Sequence, residues 1–310
     1  MEEQRIKVSI MVLAYNHEKY IRQALDSIVC QRTDFRFEAV VGEDCSADRT
    51  REIIREYQRQ YPDIIKPLFR RHNLGASKNV VSTLRRCSGE YVAFLECDDY
   101  WTDPYKLQKQ VDYLEAHPEC AGVMTGVTVV DRYGREMVTG PKMLDHALET
   151  PLDFAKTMYP YNQFKFAGCF MARNYYKDRA YDRYLLQTVF VDDFIVEALA
   201  LRQGKIAMLD ETMAAYRWVP SHGGNFSAMK AELLCRDRIK SLKVVMQLFP
   251  TKTHPWIRMR ICRDYWQLLH KATLDGRYGQ WLKIYFKEMN IIEKVFYVIY
   301  AFRRTVTGVF

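Results

Sequence analysis

The chain has 310 residues, 48% of them hydrophobic, which suits one large globular domain or two smaller ones with a sizeable core. No run reaches the ~18 apolar residues of a membrane-spanning helix, and the acidic opening MEEQRIKVSIMVLAYN lacks the pattern of a secretory leader. Eight scattered cysteines with no CxxC pair point to reduced thiols, hence a cytoplasmic protein, rather than to a disulfide framework or a zinc site. The net charge of +8 is concentrated at the end of the chain: residues 230–310 hold 16 Lys and Arg against 6 Asp and Glu. Such a tail suggests an anionic partner (a membrane surface, nucleic acid or an anionic polymer) or a set of solvated helix faces.

Residues 7–14, KVSIMVLA, read as a first strand. Tyr15 and Asn16 follow, with Asn16 a candidate N-cap, then a helix with Ile21, Ala24, Leu25 and Ile28 on one face. A second strand over 37–42 ends in Glu43 and Asp44, and Asp48 suits the cap of the next helix. Residues 64–69 form a third strand leading into Arg70, Arg71 and Gly75, before a helix over about 77–86. Residues 91–95 are a short apolar strand whose carboxyl end flips to Glu96, Cys97, Asp98 and Asp99, followed by a helix from Pro104 to about Ala116.

Four strand–helix alternations predict a mostly parallel sheet with right-handed crossovers. Ligands of such sheets sit outside the carboxyl ends of the strands. There Tyr15, Asp44, Arg71 and Asp98 are expected along one edge. The three acids of ECDD repel one another unless something positive neutralises them, and hard oxygen ligands suit Mg²⁺ or Mn²⁺. The plainer reading of the same residues is a capped turn, with Asp99 or Asp103 starting the next helix. No GxGxxG follows the first strand and no GxxxxGK[ST] occurs, which disfavours a dinucleotide site or a P-loop.

The pattern then changes. Residues 121–130 are apolar and β-branched, and Asp131 to Gly134 form a turn. Residues 167–172 read as a strand, 191–203 as a helix opened by Asp192 and Asp193, and 205–209 and 213–218 as two short strands. SHGGNFS, from Ser221, is a polar loop, and the chain from Ala228 onward is helical by period, interrupted near Pro250 and Pro255.

VSIMVLAYNHEKYIRQALDSI, VVGEDCSADRT, HNLGASKN, LECDDYW, VDDF and YRWVPSHGGNFS together, in this order, resemble the inverting family 2 glycosyltransferases over residues 7–227. The departure is Glu43, where that family has an Asp, and Glu96 replaces another. The resemblance implies a GT-A fold: an α/β protein with a mostly parallel central sheet and flanking helices, here followed by a C-terminal helical extension. It implies a nucleotide-diphospho-sugar donor with Mn²⁺ or Mg²⁺. Ala14 and Tyr15 would flank the base, and Asp44 would accept a hydrogen bond from it, which suits uracil or thymine. Arg71 and Lys78 are candidates for the diphosphate or ribose, and Glu96 for the ribose. Asp98 would be the principal metal ligand, with Asp99 or Glu96 beside it, and His222 a further one. Asp193 would be the base that takes the acceptor proton, with Asp192 the alternative and the other acid capping the helix.

On this resemblance residues 1–125 form a nucleotide-sugar half, 126–227 an acceptor-binding and catalytic half, and 228–310 a basic helical extension. The acceptor would be a saccharide or a lipid-linked saccharide of surface polysaccharide or glycolipid synthesis, and no nucleic-acid partner is expected. Residues 291–310 suit either a peripheral helix lying on a membrane or one packed on the catalytic domain or a second subunit. Two other functions share strand-end carboxylates: a nucleotidyltransferase and a non-catalytic sugar-nucleotide-binding subunit.

Overall fold

The computed structural model describes residues 5–138, 144–158, 167–189, 193–219 and 231–307. Its centre is an eight-stranded sheet of order β3-β2-β1-β4-β7-β6-β8-β5. β1 (Val8–Ala14), β2 (Phe37–Glu43), β3 (Ile65–Phe69) and β4 (Tyr91–Glu96) are mutually parallel. α1 (Ile21–Val29), α2 (Thr50–Gln60) and α3 (Ala76–Leu84) connect them. β1 and β4 are apolar at nearly every position because helices or loops cover both faces, as parallel sheets require. α1 buries Ile21, Ala24, Leu25 and Ile28, the face the period predicted.

The second half is mixed. After β5 (Tyr100–Trp101) and α4 (Lys106–Ala116), β6 (Cys120–Val130) runs parallel to β8 (Lys205–Arg217). The three-residue β7 (Met171–Arg173) lies antiparallel between β4 and β6, and β5 is antiparallel to β8. The sheet is therefore parallel on the β3-to-β4 side and mixed beyond it. The segment read as one strand over 167–172 begins instead as a 3₁₀ turn, Ala167–Cys169. The two short strands read over 205–218 are one long strand. Its register against β6 shifts where Leu209 and Thr212 face Thr125 and Gly126, so a bulge with exposed Asp210 and Glu211 breaks the alternation.

α5 (Pro151–Met158), α6 (Asp182–Leu185) and α7 (Asp193–Leu201) complete this half. α8 (Ala231–Leu248) packs on α7, and α9 (His254–Leu274) on α8 and α5. One buried apolar cluster runs from Val8 in β1 through Phe94, Phe170 and Leu199 to Leu242 and Ile261, so the C-terminal helices share one core with the sheet. α10 (Tyr278–Lys283), a π-helical turn at Ile284–Glu288 and α11 (Ile291–Thr307) follow. All eight cysteines are free thiols, and among the described residues no helix is long and apolar enough to cross a membrane.

Candidate active site

β1 has β2 on one side and β4 on the other, so the chain's direction of travel reverses beside it and a crevice opens at the carboxyl ends. The register pairs Ala14 with Glu43, Leu13 with Glu96 and Glu43 with Phe69, so the loops after all four strands start level along one edge. Two non-glycine residues there, Asn16 and Cys45, have positive φ of 58° and 63°. Asn16 does not cap α1, which begins at Ile21. Its side-chain Oδ1 instead accepts the Ala47 N–H at 2.9 Å while its own N–H donates to Ser46 Oγ at 3.0 Å. Asp48 Oδ1 accepts the N–H of Thr50, the first residue of α2, and Oδ2 accepts that of Glu18. The loops after β1 and β2 are thus stitched into one rigid rim.

On that rim Tyr15 is 45% exposed at the end of β1, whereas Ala14 is buried and offers backbone only. Asp44 is buried, and both carboxylate oxygens are engaged: Oδ1 accepts the Leu74 N–H at 2.7 Å and Oδ2 the Gly75 N–H at 3.0 Å. Each oxygen keeps a further lone pair for a ligand. Gly75 has φ +80°, a backbone state that favours glycine, and this lets the loop turn sharply into α3. Arg71 and Lys78 are both exposed at the mouth of this loop. Their neighbour Arg70 is structural, donating to Asn79 Oδ1 and Ser82 Oγ. Glu43 is fully buried and paired with Arg51, so the longer side chain is used inside the rim.

The acid turn after β4 is held from the far side of the sheet. Arg217, at the end of β8, donates its backbone N–H to Asp99 Oδ1 at 2.7 Å and its Nε–H to the Asp98 carbonyl at 2.8 Å. Its Nη1 donates to the carbonyls of Asp131 and Arg132, and its Nη2 to Gln23 Oε1. The guanidinium lies over the rings of Tyr20 at 4.5 Å and Tyr100 at 5.6 Å. Below the turn, Trp101 Nε1 donates to the Gly168 carbonyl at 2.8 Å.

Burial first, and mutual repulsion second, disfavour the charged forms of the acids in this turn. Burial, then Asp98, then Asp193 push the Glu96 carboxyl up to about 8. Burial and Asp98 hold the Asp99 carboxyl well above the usual carboxylate range, against the pull of Arg217. Burial and the fields of Asp99, Asp98 and Asp193 raise the Tyr216 hydroxyl as well. Asp98 and Asp193, from the two halves of the chain, therefore bear on the same two groups.

Asp193 is the first residue of α7 and part-buried. The segment before it is gripped from two directions. Ser77, at the start of α3, donates its hydroxyl to the Thr188 carbonyl at 2.6 Å, and its N–H to the Val189 carbonyl at 3.3 Å. Asp237 of α8 accepts the Val189 N–H at 2.9 Å. A chain of contacts thus runs from Asp44 through Gly75 and Ser77 to the approach to Asp193. Asp192, His222 and the Gly223–Gly224 pair lie outside the described residues.

Among the described residues no three His, Cys, Asp or Glu side chains converge on one ion position. The donor set still fits a hard divalent ion of the kind held by one or two carboxylates with substrate phosphate completing the shell. Glu96, Asp98 and Asp99 follow one another closely at the end of β4 and offer carboxylate oxygens of the kind such an ion takes. Asp99 has one oxygen committed to Arg217.

Arg217, Ser77 and Asp237 were not singled out by sequence reasoning. Arg217 stood inside the YR segment, but its contacts depend on β8 lying beside β5. Ser77 and Asp237 meet their partners across long stretches of chain, and nothing in their local sequence distinguishes them from cap and surface residues.

Residues 9–193 match the sequence profile of Glycosyl transferase family 2, and Asp193 is the last residue matched. An uncharacterised protein of Mycobacterium tuberculosis (strain ATCC 25618 / H37Rv) is 36% identical over 218 residues, covering 68% of this chain and 58% of that protein. An uncharacterised glycosyltransferase of Nostoc sp. (strain PCC 7120) is 30% identical over 250 residues, 76% of this chain and 71% of its own. The poly(ribitol-phosphate) beta-N-acetylglucosaminyltransferase TarS of Staphylococcus aureus (strain Mu50 / ATCC 700699) is 37% identical over 98 residues, 31% of this chain and 17% of its own. The structure of S. aureus TarS residues 1–349 in complex with UDP-GlcNAc has a TM-score of 0.59 at 20% identity, over 97% of this chain and 82% of that one. That likeness shows a shared fold.

Proposed function

The chain belongs to glycosyl transferase family 2 and is a transferase, and on that premise we propose that it moves a sugar from a uridine- or thymidine-diphospho-sugar, with inversion, to a hydroxyl of a saccharide or lipid-linked saccharide. The reading rests most on one observation: Asp44 accepts the Gly75 N–H, and Ser77, two residues on, donates its hydroxyl to the Thr188 carbonyl at 2.6 Å, so the approach to Asp193 is tied to the loop that Asp44 holds. What supports a nucleotide sugar is the relationship to TarS, whose structure holds UDP-GlcNAc.

In this reading the base stacks on the exposed ring of Tyr15 beside the Ala14 backbone. Asp44 accepts an N–H from the base edge with its remaining lone pairs, while its loop contacts keep it aimed. Arg71 and Lys78 face the ribose and diphosphate from the rim, and Glu96 the ribose. Asp98, with Asp99 or His222 beside it, would hold Mn²⁺ or Mg²⁺. When bound, such an ion offsets charge on the departing diphosphate.

Asp193, or Asp192 in its place, takes the proton of the acceptor hydroxyl as that oxygen forms its bond to the anomeric carbon. The bond from that carbon to the diphosphate oxygen breaks, and its electron pair leaves on the nucleoside diphosphate. Attack opposite the leaving group inverts the configuration. The buried rim and the Arg217 clamp keep the acids in place, so little reorganisation accompanies the step.

The test is release of nucleoside diphosphate from a panel of nucleotide sugars with Mn²⁺ and acceptor extract. Asp193→Asn is expected to abolish transfer while retaining donor binding. Full turnover in that variant removes Asp193 from its role. Pyrophosphate release from a nucleoside triphosphate and a sugar phosphate would instead indicate a nucleotidyltransferase.

A further inference from the structure

α11 takes no part in the chemistry above, and its two faces differ. One packs on α9: Tyr300 is buried with Met259 and Cys262, and Phe296 and Tyr297 lie against them. Glu293 is on this side, 1% exposed, accepting the Asn290 N–H at 2.9 Å and pairing with Lys243 at 2.8 Å. The other face carries Ile291, Ile292, Val295, Val298, Ile299 and Phe302, spaced as one helical stripe, with exposures from 43% at Ile299 to 77% at Ile291. Lys294 reaches over the ring of Phe286 at 5.6 Å, which brings a further exposed aromatic alongside. Exposed apolar residues scattered singly are ordinary, but a continuous stripe marks a surface that is covered in use.

Charge selects what covers it. Over residues 278–302 the exposed charged side chains are Lys283 and Lys287, both positive. The two acids of this stretch are paired, the part-exposed Glu288 with Arg236 and the buried Glu293 with Lys243. Arg303 and Arg304 follow in the sequence. A second copy docking by a twofold contact on this stretch would present the same lysines from both sides, and among the described residues 278–302 no exposed acid answers them. An anionic lipid surface answers both features, apolar depth for the stripe and phosphates for the lysines.

We infer that the exposed face of α11 docks on a bilayer surface that carries anionic headgroups. The helix lies in the interface, with Val295 and Val298 facing the acyl boundary and Lys283 and Lys287 the phosphates. Its 17 residues make about 25 Å of helix lying flat. The docking stands independently of the transfer reaction.

The test is co-sedimentation of the full chain with vesicles of phosphatidylcholine alone and of phosphatidylcholine with phosphatidylglycerol. Binding is expected to the anionic vesicles only and to weaken as salt is raised. Val295→Asp with Val298→Asp is expected to reduce it at least ~10-fold with the melting temperature unchanged. Lys283→Ala with Lys287→Ala is expected to reduce it about 30-fold. Failure of the wild-type chain to bind anionic vesicles, or equal binding by the valine variant, overturns the inference. So does a wild-type dimer that the valine variant splits and that leaves vesicles unbound. Because sedimentation is scored without turnover, a chain that docks but releases no nucleoside diphosphate would sink the proposed reaction and leave the docking intact.

Discussion

Arg217 holds Asp99 by its backbone N–H and Asp98 by its side chain, at 2.7 Å and 2.8 Å, so one residue of β8 fixes both members of the acid pair that β4 delivers. Asp98 is grasped by its carbonyl, which leaves its carboxylate free of Arg217. The guanidinium is buried, yet its donors go to carbonyls and to Gln23, so it orients the turn without occupying the place of a cation.

Arg217→Lys keeps the charge but has neither the planar fork nor enough donors for four acceptors. We expect kcat to fall about 100-fold and the Mn²⁺ concentration for half-maximal activity to rise, with a stability loss of about 3 kcal/mol. Titrating Mn²⁺ at saturating donor separates the two roles. A stability loss with an unchanged metal requirement would make Arg217 a purely structural residue.

Ser77→Ala removes the hydroxyl that meets the Thr188 carbonyl in a buried setting. The stability cost should be ~1–2 kcal/mol, the penalty for a buried acceptor left without its donor. If the contact also aligns the base, kcat falls while the KM for donor stays near wild type, and Ser77→Thr, which keeps a hydroxyl, recovers part of it. Equal losses in the Ala and Thr variants would point to packing instead.

Lys106 is buried, donates to Gln110 Oε1 at 2.6 Å and lies over the Trp101 ring at 4.5 Å. Burial pushes its ammonium down from 10.5 to about 7, with Cys169 and Asp103 pulling weakly the other way. Between these values the unfolded chain binds a proton that the folded chain has released. Unfolding free energy from this group therefore rises with pH through the window, by on the order of 1 kcal/mol per pH unit, and the penalty is fully present below it. Urea unfolding at pH 6.5 and pH 9 should show this gain in the wild type and a flatter response in Lys106→Met. The same slope in both chains would mean that Lys106 does not titrate there.

The first four strands were legible because each is a short apolar run closed by polar residues, and the acids at their ends fall where parallel strands put ligands. Less legible was whatever depends on pairing at a distance. Asn16 has the chemistry of a cap, but a neighbouring loop claims it. Residues 210–211 read as a break between strands because a bulge turns both outward while pairing resumes beyond them. The segment of α11 was read as lying on a membrane or packing on the domain or a second subunit, because aromatics and aliphatics mix there with Lys294, Arg303 and Arg304. The structure shows α9 covering one face of the helix.

The Asp237 contact to Val189 has a practical corollary. The family profile stops at Asp193 and the motifs at Ser227, yet a residue steadying the approach to that acid comes from α8, beyond both. A shortened protein ending after Ser227 would keep every signature motif and lose a tether that holds one of them in line. The unit marked out by motifs is smaller than the unit that has to fold.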